Sequence, residues 1–204
     1  MSISSIFSTS LMKGAIAGGM AMFLLAGCDT SLPSQRFPKL TYTYLQPIVF
    51  RAGSLKIVMD YKPPLKAPNV DHLFPESPAN ALEQWANERL KITRGDETVR
   101  FIITDASVIG TRLPLQKGLA AMFTKEQSER YDARIEATLE IRNKNGIRQG
   151  FVETNVKRSV TVREDANINQ RELVWFKLTE SIMKDFNVEM DKNIHRHLQQ
   201  WLEP

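Results

Sequence analysis

The chain has 204 residues, of which 42% are apolar and 25% charged, and it carries 27 Lys and Arg against 23 Asp and Glu. A net charge of +4 spread over that length is too mild for a nucleic-acid binder, and no basic run is interleaved with aromatics. One cysteine excludes an internal disulfide framework, so the fold must hold through an apolar core, which a chain of this length can bury.

Lys13 is the only charge in the first 27 residues, and Gly14 to Gly27 reads GAIAGGMAMFLLAG. A bilayer-spanning helix needs about 20 apolar residues, and this run is shorter. It has the form of a signal-peptide apolar segment behind a weakly positive start. The sequence Leu25-Ala26-Gly27-Cys28 at its end resembles a bacterial lipobox. The resemblance implies cleavage before Cys28 and lipidation of that residue, an anchor rather than a span. Losing Lys13 takes the net charge from +4 to +3. Asp29 resembles the enterobacterial signal for inner-membrane retention, which tips the expected location toward the inner membrane over the outer. The expected organisation is a signal peptide over 1–27, a lipidated tether over 28–40, and one periplasmic domain over 41–204.

The tether is rich in Ser, Pro and Gln. A strand is predicted over 54–61, where Leu55, Ile57 and Met59 alternate, and Pro63-Pro64 ends it. A Pro-containing loop with Asp71 and His72 follows. Ser77 is a good N-cap and Pro78 suits the first helical position. Leu82, Trp85, Ala86 and Leu90 then share a helical face, and Gly95 is the expected stop.

Val99, Phe101 and Ile103 alternate in a second strand that continues irregularly to Thr111. The long stretch 113–129 holds Leu115, Leu119, Met122 and Phe123, apolar residues that suit either a loop tucked on the sheet edge or a partner-facing flap. Tyr131, Ala133, Ile135, Ala137, Leu139 and Ile141 then alternate with Asp132, Arg134, Glu136, Thr138, Glu140 and Arg142. That pattern predicts one dry face and one solvated face, as antiparallel sheets commonly have. Asn143 to Gly146 is a hairpin turn signal. The return strand, 149–162, carries Val152, Val156, Val160 and Val162 on its inner face, interrupted by Thr154 and Arg158.

The last element is a helix over about 170–202, free of Gly and Pro. Asn169 with Glu172 suggests a capping box, and Ile168 with Leu173 a hydrophobic staple. Phe176, Met183, Met190, Ile194, Leu198 and Trp201 mark its apolar face. At 1.5 Å per residue it would approach about 50 Å, longer than the sheet, so its tail should overhang or bend. The fold class is α+β: a two-layer sandwich of order β-α-β-β-β-α on a mainly antiparallel sheet, with Trp85, Ile135 and Phe176 buried together.

Chemistry is sparse. His195 and His197 are two apart on a helix and point different ways, a poor metal pair. There is no His-Glu-x-x-His, no Gly-x-Ser-x-Gly and no phosphate-binding glycine loop. Asp71-His72 is a weak catalytic pair. No catalytic residue, metal or cofactor is therefore expected. Leu115, Leu119, Met122 and Phe123, with Ile194, Leu198 and Trp201 of the helix tail, are the expected contact with an envelope protein partner. The membrane contact is expected through Cys28.

The stretches HLFPESPANALEQWANERL, FIITDASV, TKEQSERYDARIEATLEIR and NINQRELVWFKLTESIMKDFN are similar to uncharacterised envelope lipoproteins of alphaproteobacteria. The architecture resembles the lipopolysaccharide-assembly lipoprotein and the auxiliary lipoproteins of lipid-transporting ABC systems. These resemblances imply a non-enzymatic accessory or binding subunit in lipid or envelope transport or assembly, and they assign no functional residue. A periplasmic hydrolase or sugar-binding domain is the competing expectation.

Overall fold

The computed structural model describes residues 36–114 and 126–204. Six strands and two α-helices follow in chain order: β1 (Ile48–Phe50), β2 (Ser54–Met59), α1 (Pro78–Arg89), β3 (Leu90–Ile92), β4 (Thr98–Arg112), β5 (Gln127–Arg142), β6 (Arg148–Arg163) and α2 (Ile168–His197). The main sheet runs β2-β4-β5-β6, and β1 and β3 form a small second sheet. The protein is thus α+β with a long C-terminal helix. β2 lies parallel to β4, while β4, β5 and β6 are antiparallel. Parallel neighbours need a crossover connection, and α1 supplies it between β2 and β4.

One sheet face is dry. Tyr131 through Ile141 alternate inward on β5 as the sequence pattern requires, and all six are buried. On β4 the alternation changes phase: Val99, Phe101 and Ile103 are buried, then Ala106 and Val108. The cause is a register shift between Ile103 and Asp105, where an extra residue leaves the ladder and flips which side chains face in. Both helices cover this face. Trp85 of α1 lies 5.4 Å from the Phe101 ring and 5.3 Å, edge-on, from Phe186 of α2. The indole N–H of Trp85 donates to Asn187 Oδ1 at 2.8 Å, so the buried ring leaves no polar group unpaired. Arg89 of α1 pairs with Asp191 of α2 beside it. Phe176 corrects the sequence expectation. It is buried, but it stacks on Phe37 at 5.1 Å and sits apart from the central cluster holding Trp85 and Ile135. Phe186 takes the central place instead.

Ser77 caps α1 as expected, its Oγ accepting from the Asn80 N–H at 3.2 Å. The helix ends earlier than expected. Leu90 is already extended and leads straight into β3, which pairs with β1. Gly95 is not the stop. It permits a close approach, since a Cβ there would lie 2.7 Å from the Arg51 carbonyl oxygen. The capping box of α2 is formed by Asn167 and Gln170, with both bonds at 2.9 Å, rather than by Asn169 and Glu172. Ile168 is exposed and staples nothing.

The tail of α2 does not overhang. After His197 the chain tightens into a short 3-10 turn, Gln199–Trp201, and Leu202 bridges antiparallel to Phe50. The Arg51 N–H donates to the Trp201 carbonyl at 2.7 Å and the Glu203 N–H to the Val49 carbonyl at 2.9 Å. The C-terminus therefore lies beside β1 as a strand-like neighbour and closes the small sheet.

Phe186→Ala should cost about 3–5 kcal/mol, the range for a fully buried Phe. Phe176→Ala should cost less, about 1–2 kcal/mol, because Phe176 lies outside the central cluster and keeps some exposure. Denaturant unfolding of the two variants checks the order; an equal or inverted pair of costs would place Phe176 in the centre.

Candidate functional site

The residues expected to meet a partner separate on inspection. Ile194 and Leu198 are fully buried, which corrects their assignment as contact residues: they face the chain's own core. Trp201 is half-buried and lies over Gly150, where a Cβ would come within 2.8 Å of its ring. Leu115, Leu119, Met122 and Phe123 lie outside the described residues, as do Cys28 and Asp29. Asp71 is buried in a short 3-10 turn while its neighbour His72 is exposed, so the two do not converge on a common substrate. His195 and His197 are both exposed, and His195 Nδ1 lies 2.9 Å from the Asp191 carbonyl of its own helix. Among the described residues no group of three His, Cys, Asp or Glu is placed to hold a metal.

The sheet face opposite the helices presents a different arrangement. It carries a lattice of ion pairs along β4, β5 and β6. Arg134 joins Glu136 at 2.5 Å and Asp105 at 3.4 Å. Arg130 joins Asp132 at 2.7 Å, and Ser159 donates to the same carboxylate. Hydrogen bonds from these neighbours hold the carboxyls of Asp132 and Glu136 below their usual range, against a desolvation cost that acts the other way. Over this part of the face the signs alternate and largely cancel.

At the hairpin end they do not. Strand register places Lys56, Arg100, Glu140 and Phe151 in one row across β2, β4, β5 and β6. Arg142 and Arg148 form the next row outward, paired through a second register shift beside Ile141. Glu140 is only 2% exposed. Its Oε1 accepts from Arg142 Nε and from Arg100 Nη1, both at 2.7 Å, and its Oε2 accepts from Arg142 Nη2 at 3.2 Å. Arg142 also donates to the Gly146 carbonyl at 2.8 Å, which ties the cluster to the turn. The turn is fixed in its own right. Asn143 Oδ1 accepts from the N–H groups of Asn145 and Ile147, each at 3.0 Å, and Gly146 takes a φ of 76°, which suits a residue without a Cβ. Arg148 lies 4.3 Å above the Phe151 ring, within reach of a cation–π contact. Three arginines, Arg100, Arg142 and Arg148, thus act on one carboxylate, with Lys56 at the far edge of the row and Phe151 exposed beside them.

Sequence alternation puts these residues on the outward face but leaves their grouping hidden. Arg100 and Glu140 are 40 residues apart, and only the β4–β5 register brings them together. Elsewhere, a hollow of about 660 Å³ is lined by Tyr44, Leu45, Glu180, Ser181, Lys184, Asn187 and Val188. It contains one carboxylate, one amine and one serine hydroxyl, from Glu180, Lys184 and Ser181.

The hydrogen bonds from Arg142, with the added charge of Arg100 and Arg148, hold the Glu140 carboxyl below its ordinary range despite burial. A carboxyl depressed on folding contributes stability that is complete above its unfolded-state range and is lost as pH falls through the folded value. Glu140→Gln should therefore melt below the wild type at neutral pH, and the gap should narrow on acidification. A gap that widens in acid would contradict the pairing.

No family model matches the chain, and no curated protein matches it. Among solved structures, the chain is similar to a minor lipoprotein from Acinetobacter baumannii, at 12% identity over 78% of this chain and 99% of that one, with a TM-score of 0.36. A superposition that loose carries neither fold nor function across.

Proposed function

We propose that the chain is a membrane-anchored envelope lipoprotein, acting without catalysis as an accessory or binding subunit in lipid or envelope transport or assembly. The observation that carries this reading is the spacing between Cys28 and the folded domain. The lipobox-like Leu25-Ala26-Gly27-Cys28 ends an apolar run, and nine residues later Phe37 is already stacked on Phe176 of α2. Nine residues reach at most about 30 Å. A lipid on Cys28 would hold the domain close to the membrane surface, facing the periplasm, with Asp29 favouring the inner membrane.

A binding role suits the groups on display. The open sheet face offers fixed guanidinium groups and exposed apolar side chains. The hydrolase alternative singled out Asp71 with His72, of which the first is buried and the second exposed.

Cys28→Ser should abolish incorporation of a fatty-acid analogue and shift the protein out of the membrane fraction. Labelling that survives the substitution would remove the anchor, and with it the envelope-lipoprotein reading.

A further inference from the structure

We infer that the hairpin end of the open sheet face is a binding site for an amphiphile bearing a phosphate monoester. It takes the oxyanion on the arginines around Glu140 and the apolar part on Phe151. The inference gives a ligand class to the binding role proposed above and does not depend on the lipid anchor.

Glu140 accounts for part of the positive charge around it and leaves part over. A buried carboxylate needs cationic partners, and Arg100 and Arg142 provide them. Those pairs explain two guanidinium groups. They do not use Arg148, whose charge reaches Glu140 only at longer range and whose guanidinium makes no ion pair among the described residues, or Lys56, which register places beside Arg100 on the exposed edge of the same row. The nearest carboxylate on this face of β6 is Glu153, which register places opposite Thr138, one row beyond the cluster. The hairpin end is therefore a local excess of positive charge whose members are held still. Glu140 fixes Arg100 and Arg142, the turn carbonyl of Gly146 fixes Arg142 again, and the Phe151 ring carries Arg148.

Guanidinium groups fixed side by side suit oxyanions, above all phosphate, because their planar N–H forks match its oxygens in pairs. Pre-positioning by Glu140 removes part of the ordering cost that flexible surface arginines would meet on binding. The apolar component decides what carries the phosphate. Phe151 is 48% exposed and stands opposite Glu140 at the cluster's rim. A free phosphate would have no use for it. A phosphorylated headgroup with an attached hydrocarbon would cover both the charge and the apolar surface.

The test uses the full-length protein in a neutral detergent, titrated calorimetrically with dihexanoyl phosphatidic acid, dihexanoyl phosphatidylcholine and inorganic phosphate. Phosphatidic acid should bind about tenfold more tightly than inorganic phosphate, and phosphatidylcholine more weakly than either. Arg148→Gln breaks no hydrogen-bonded ion pair and removes only a longer-range charge from Glu140, so it should melt far closer to the wild type than Glu140→Gln does while weakening phosphatidic acid binding about tenfold. Phe151→Ser should bring phosphatidic acid down to the affinity of inorganic phosphate, and phosphate binding itself should weaken less, since only the Arg148 support is lost. Lys157→Gln, on the same face but away from the cluster, is the control and should change nothing. Four outcomes would each overturn the inference: equal binding of the two lipids, equal binding of phosphate and phosphatidic acid, wild-type binding by Arg148→Gln, or equal losses in Arg148→Gln and Lys157→Gln.

Discussion

Tyr131, Ala133, Ile135, Ala137, Leu139 and Ile141 leave β5 on one side, and the charged residues between them leave on the other. Both consequences come from the period of two that the pleat imposes. β5 is bonded to β4 on one edge and β6 on the other, so its division of sides becomes that of the whole sheet. The dry side has to be covered, and α1 and α2 cover it around the Trp85, Phe101 and Phe186 rings. A slip of one residue would expose six apolar side chains at once, which makes the register the constraint on which helix packing, tail closure and the charged face all depend.

The opposite side shows how a solvated face can still contain a buried charge. The pairing of Arg100, Glu140 and Arg142 follows from the register of two strands, β4 and β5, and the guanidinium groups shield the carboxylate from water. The arrangement is favourable because the charge is met by hydrogen-bonded partners as it is desolvated. The same geometry fixes the arginines. A structural ion pair and a prepared oxyanion site thus arise from one set of bonds, and the charge left over on Arg148 and Lys56 separates the second role from the first.

Much of the fold was legible because its strongest signals are local. The alternation of β5, the Ser77-Pro78 start of α1 and the Asn143–Gly146 turn each depend on neighbours in sequence, and each lies where the pattern puts it. What escaped depends on distant partners. β1 and β3 are three-residue strands that exist only because they pair across more than 40 residues. The α2 periodicity runs on past His197, and nothing nearby signals that Leu202 will bridge to Phe50. Phe186 was passed over because the stripe drawn through Phe176, Met183 and Met190 steps by seven, while an α-helix drifts by about 20° per seven residues. Over a 30-residue helix that drift turns Phe176 toward Phe37 and gives Phe186 the central place. For the candidate site, the charged pattern gave the face but not the row, since the rows are set by the register shifts beside Ile103 and Ile141.

The most direct measurement is the titration of the Glu140 side-chain carboxyl, followed by carbon-13 NMR of the full-length protein through the acid range. The hydrogen bonds of Arg142, with the charge of Arg100 brought in by the β4–β5 register, outweigh burial and require a midpoint below that of an ordinary glutamate. A midpoint at or above the ordinary value would mean that the arginines are not paired to it, and the charged row and the site built on it would fail together.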